Sequence, residues 1–175
     1  MPGKKSGRLK LPRDTMRAMQ RAKGERRLAW ALDSEGEWYV GTDRALHLRP
    51  GHEAYRVLGW EQIERADWSQ DVQVLGVVEV AEWGDPETRI DITVADPGDL
   101  LGLLRERVTS SVVVSRYAAV RGRRGLSVVG RRSPVGQGPV VWSFVLAEGL
   151  HPDDQDVREV ASRALQAAEA ELAGL

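Results

Sequence analysis

The sequence predicts an α+β protein: a bent antiparallel sheet or partial barrel capped by a helix, then a second small antiparallel sheet with a long C-terminal helix. Three observations predict it. Short runs of alternating apolar residues separated by turn residues fill the stretch from Arg27 to Val94. A leucine-rich segment of helical period, Leu100, Leu101, Leu103, Leu104 and Val108, closes that stretch. The chain then returns to strands and finishes on one apolar stripe, Val157, Val160, Ala161, Ala164, Leu165, Ala168 and Leu172.

Taken in order, residues 1–26 form a basic arm. Asp14 is a possible N-cap for a short helix from Thr15 to Ala22 that ends near Gly24, and a helix of that length is expected to be mobile unless it docks. Leu28, Trp30 and Leu32 alternate in a first strand, Asp33-Ser34-Glu35-Gly36 turns it, and Trp38-Tyr39-Val40 returns. Thr42-Asp43-Arg44 makes a tight turn into Ala45–Leu48, and Pro50-Gly51 breaks the run. Tyr55–Leu58 is a fourth strand, while Trp60 to Ala66 reads as a short helical turn or a bend. Val72–Leu75 and Val77–Val80 are strand-like, and Ile90, Ile92 and Val94 alternate with polar residues. A helix follows at Asp99–Val108. Beyond it come strands at Val112–Val114, Leu126–Val129 and Val140–Leu146, linked by arginine-rich turns, and a helix introduced by Pro152 and Asp153, Asp154 and Asp156. The expected organisation is an arm (1–26), a first domain (27–108) and a βα extension (109–175) packed on it.

Two local patterns resemble a known fold. Tyr39-Val40-Gly41-Thr42-Asp43-Arg44-Ala45-Leu46-His47-Leu48 is similar to the hairpin in which a T-D-R-R-L turn joins two strands of bacterial pleckstrin-homology-like domains. Arg56-Val57-Leu58-Gly59-Trp60-Glu61-Gln62-Ile63-Glu64-Arg65-Ala66 resembles the next strand of that fold and its P-x-x-x-I-x-x-V crossing. The resemblance covers Arg27 to Val108 and implies a bent sheet capped by a C-terminal helix. Ala45 stands where the pattern has arginine, and the early hairpin loop carries no basic cluster, so no phosphoinositide-type ligand comes with it. From Thr109 on, the chain resembles the tail of actinobacterial proteins of this size, a likeness that implies no activity.

Composition narrows the function. With 175 residues, 42% hydrophobic, the chain can bury one good core or two small ones. It has no cysteine, which excludes disulfides, thiolate metal sites and cysteine nucleophiles and suits a reducing compartment; the cytoplasm is the expected location. No apolar run reaches the roughly 18 residues of a membrane-spanning helix. His47, His52 and His151 show no ligand spacing, no serine sits in a G-x-S-x-G elbow, and the glycines from Gly122 to Gly138 match no phosphate loop. The expectation is therefore no catalytic residue, no metal and no cofactor.

What stands out is charge and tryptophan. The net charge of −1 hides a basic arm, an acidic middle from Glu61 to Asp99 and a basic stretch from Arg105 to Arg132. Lys4, Lys5, Arg8 and Lys10 of the arm, with Arg121, Arg123, Arg124, Arg131 and Arg132 of the later turns, are candidates for polyanion binding by counterion release. Of the six tryptophans, Trp30, Trp38 and Trp142 fall at core positions, whereas Trp68 and Trp83 lie among acids and are candidates for contact with a protein partner. These features point to a non-catalytic binding or scaffolding protein that engages another protein or self-associates. The alternative is a nucleic-acid-associated protein that uses the arm and arginine loops.

Overall fold

The computed structural model describes residues 10–49, 55–136 and 138–174. They form a mixed α+β structure of three antiparallel sheets and three α-helices.

After helix α1 (Arg13–Ala18), four strands pair in sequence order: β1 (Arg27–Leu32), β2 (Trp38–Thr42), β3 (Ala45–Leu48) and β4 (Arg56–Gly59). A 3₁₀ turn at Trp60–Gln62 leads into a second sheet, β5 (Ile63–Ser69), β6 (Val74–Glu79) and β7 (Arg89–Thr93), with β6 in the middle. Helix α2 (Gly98–Ser111) packs on β1, β2 and β5 and closes the first core. Its Leu100 and Leu104 join Tyr39, Leu46, Trp60, Ile63, Leu75 and Ile92 there. The third sheet, β8 (Val112–Arg121), β9 (Arg124–Arg131) and β10 (Val141–Leu146), has β9 at its centre. Helix α3 (Gln155–Ala173) lays Val157, Ala161, Ala164 and Ala168 on Val114, Leu126 and Val128, as the apolar stripe requires.

Strand β8 runs to Arg121, well past the expected end at Val114, and three further elements differ from the sequence expectation, each for a local reason. The turn or bend expected at Trp60–Ala66 is a 3₁₀ turn followed by a strand. A bulge between Ile63 and Arg65 shifts the period, after which Ala66 and Trp68 face the core and Arg65 and Asp67 face water. The two strand segments expected at 72–75 and 77–80 are the single strand β6. Val72 instead sits in the preceding turn, 65% exposed, beside Gln73 at a φ of 53°. The first helix ends at Ala18, four residues early, because Met19 turns to an extended conformation and buries its side chain against the sheet.

That last difference ties the arm down. Leu11 and Met19 are buried with Val40, and Met16, Trp30 and Trp38 pack around them. A docked face of this kind stabilises a helix too short to persist alone.

The two halves meet at Arg131. Its guanidinium, nearly all buried, donates to the carbonyls of Val108 (3.0 Å) and Glu64 (2.8 Å) and to Ser111 Oγ (3.2 Å). Beside it the Arg132 amide donates to the Ser111 carbonyl at 2.8 Å.

Candidate functional site

The tight turn between β2 and β3 organises the site. Thr42 Oγ1 accepts the amides of Arg44 (3.1 Å) and Ala45 (2.9 Å), a side-chain clamp that fixes the two-residue connection. Asp43 accepts the Arg26 amide at 2.9 Å and its guanidinium at 3.3 Å. Those bonds bring the end of the arm against the sheet and place Glu25 beneath the turn.

Glu25 is 6% exposed and meets three donors. Oε1 accepts Thr42 Oγ1 (2.6 Å) and His47 Nε2 (2.7 Å), and Oε2 accepts the Ala22 amide (2.7 Å). Burial pushes its pKa up, but the hydrogen bonds from Thr42, His47 and Ala22 together outweigh it and hold the carboxyl below its ordinary 4.5. An ionised Glu25 accepts only, so His47 carries its proton on Nε2. The opposite nitrogen, Nδ1, meets the Tyr55 hydroxyl at 2.5 Å and, in the tautomer protonated on Nε2, accepts a hydrogen bond from it. Burial raises the Tyr55 phenol, and the Gln20 amide points at the same oxygen. The result is one chain of hydrogen bonds from the arm, through Tyr55 just before β4 and His47 of β3, back to Glu25 of the arm.

Above this array lies a cleft of about 530 Å³. Thr15, Ala18 and Met19 form the helix side, and Trp38 and Val40 form the sheet side. His47 and Tyr55 lie at its floor, with Asp14, Glu37 and Arg49 also along it. The volume falls in the range of sites that hold small ligands or buried side chains.

His47 therefore meets a carboxylate, a juxtaposition the histidine spacing does not disclose. The arrangement nevertheless suits positioning better than proton transfer. The His47 ring is 1% exposed, and the hydroxyl that would carry the reaction is a phenol that burial makes less acidic. Among the described residues no group of three or more His, Asp or Glu side chains is arranged to hold a metal ion.

The arginines selected from sequence do not gather. Arg131 leaves the surface set altogether: three acceptors at the junction of the halves hold its side chain inside, and desolvation lowers its pKa. Arg121 is exposed but spends its guanidinium on Asp154 (2.9 Å) and Asp156 (2.7 Å), which offset its charge. Arg123 and Arg124 stand exposed at the β8–β9 hairpin, Arg132 is half-buried, and Lys10 is exposed. Lys4, Lys5, Arg8 and His52 lie outside the described residues.

Trp68 and Trp83 also part company. Trp68 packs on the first core, and Trp83 packs on the second with its ring 4.9 Å from Phe144 at 85°. The fully buried tryptophan is Trp60, whose Nε1 donates to the Thr42 carbonyl at 3.1 Å and so braces the turn from below.

Glu25 and Tyr55 escaped the sequence reading. The signal for Glu25 was its isolation: it and Asp14 are the acids among the arm's cations. No family model, curated protein or solved structure matches the chain. No helix among the described residues is long and apolar enough to cross a membrane.

Proposed function

We propose that the chain is a non-catalytic binding module that engages a partner protein through the cleft between α1 and strands β2 and β3. The observation that carries this reading is the state of the cleft floor. The His47 ring is 1% exposed, and the hydroxyl at its far nitrogen is the Tyr55 phenol, which burial makes less acidic, so this carboxylate–histidine–hydroxyl chain ties the arm to the sheet instead of activating a nucleophile. What remains for a ligand is a preformed, partly apolar pocket with Met19, Trp38 and Val40 on its walls and polar atoms beneath. Such a pocket suits an apolar anchor side chain of a partner, held in place by neighbouring hydrogen bonds.

The pleckstrin-homology-like reading belongs to the same proposal. The reading is a bent antiparallel sheet capped by a C-terminal helix, and it is supported by strands β1–β4 and β5–β7 sharing one core with α2. That fold serves as a scaffold, and function rests on the site it carries.

The test is occupancy of the cleft. Ala18 is exposed on the helix wall, and Ala18→Trp fills the space without replacing any residue of the buried array. Affinity capture from native lysate, with light scattering on the purified chain, should yield a partner or second copy that wild type retains and Ala18→Trp loses. A wild-type monomer that retains nothing, or retention unchanged in the variant, refutes the proposal.

A further inference from the structure

A second cavity, of about 260 Å³, lies where the chain leaving β6 meets β10 and the approach to α3. Two of its walls are aromatic. Trp83 and Phe144 both line it, and their rings stand 4.9 Å apart and nearly perpendicular, at 85°. Leu146, Leu150 and Pro152 supply apolar surface. The ionisable residues that line it, Glu64, Glu82 and Asp85, are all acidic.

Glu64 is the telling member. Its backbone carbonyl is taken by Arg131, yet no described cation forms an ion pair with its carboxylate, which is half-buried on β5. Burial raises its pKa, and Arg65 and Arg131 counter that only from a distance. A carboxylate partly withdrawn from water and left unpaired is costly. The charge that would relieve it must also suit aromatic walls. A small hydrated metal ion does not suit them, because it requires several oxygen ligands. An organic cation with methyl groups does: its diffuse charge is attracted to ring faces, and its apolar shell is at home among Leu146, Leu150 and Pro152.

We infer that this cavity is a binding site for an alkylammonium group, with Trp83 and Phe144 as cage walls and Glu64 as the counter-charge. The chemistry is shared by a free choline-type molecule and by a methylated lysine of another protein. The site is separate from the α1 cleft, and its occupancy does not depend on what that cleft binds.

The experiment titrates the full chain with tetramethylammonium, with choline and with 3,3-dimethylbutan-1-ol, the uncharged counterpart of choline. Calorimetry and tryptophan fluorescence report binding. The cations should bind saturably, and the alcohol should bind at least about tenfold more weakly, since the charge supplies the discrimination. Glu64→Gln, which keeps the shape, should lose about tenfold in cation affinity while melting no lower than wild type does. Phe144→Leu, which keeps the packing and removes the ring, gives a second reading should Glu64→Gln fold poorly. A trimethyllysine peptide binding more tightly than choline assigns the source to a protein, and the reverse order assigns it to a free molecule. Absent saturation by tetramethylammonium, equal binding of the alcohol, or unchanged affinity in both variants overturns the inference.

Discussion

Replacing Glu25 tests the buried array most directly. In Glu25→Ala, Thr42 Oγ1 can still donate to the Ala45 carbonyl at 3.0 Å, so its hydroxyl stays satisfied. The His47 Nε2 proton and the Ala22 amide have no such substitute. Two stranded donors at about 1–3 kcal/mol each amount to roughly 2–6 kcal/mol of lost stability. For a chain of this size that is a fall of about 5–15 °C in melting temperature. Glu25→Gln retains one acceptor and should lose less. Because folding lowers the Glu25 pKa, the unfolded chain binds the proton more readily, so the carboxylate's contribution is full above the unfolded value near 4.5. It is lost as pH falls through the lower folded value. Thermal unfolding of wild type and Glu25→Gln from pH 7 to pH 3 should therefore show two curves that converge on acidification. Limited trypsin digestion should follow the same order, with cleavage at Arg17 and Arg21 faster in the variants. Equal stability at pH 7, or a gap that persists unchanged at pH 3, refutes the account.

Two further substitutions probe the remaining framework. Arg131→Met keeps the length of the side chain but leaves the Glu64 carbonyl without this donor, while Val108 keeps the Ser111 hydroxyl at 2.7 Å, and urea unfolding should show a loss of about 1–3 kcal/mol. Arg131→Lys should not rescue it, since an ammonium lacks the planar fork that reaches both carbonyls. Gly125→Ala places a Cβ against the Ala118 carbonyl across the β8–β9 pair, and the backbone cannot yield as a side chain would. Circular dichroism should record weakened sheet structure and a melting temperature lower by several degrees.

Patterns that depend on near neighbours were legible. The stripe of α3, the leucines of α2 and the turn at Thr42-Asp43-Arg44 each follow from spacing within a few residues, and each stands where it was read. Strand β5 was not legible. Its outward residues are charged, its inward ones are alanine and tryptophan, and a bulge breaks the period between them. The candidate site was hidden for a different reason. Glu25 and His47 lie 22 residues apart, and their contact depends on the arm folding back onto a strand, which no local pattern records. Arginine at position 131 was misleading because its residue type usually belongs outside, whereas here three protein acceptors replace water around it.

That single guanidinium also governs how the molecule comes apart. It rises from the middle strand of the last sheet and grips the helix and strand that close the first, so the two hydrophobic clusters cannot part without stripping the guanidinium of its three acceptors. Heating should accordingly melt the chain in one calorimetric transition. A fragment cut at the end of α2 would carry into solvent a raw seam that the intact protein never shows.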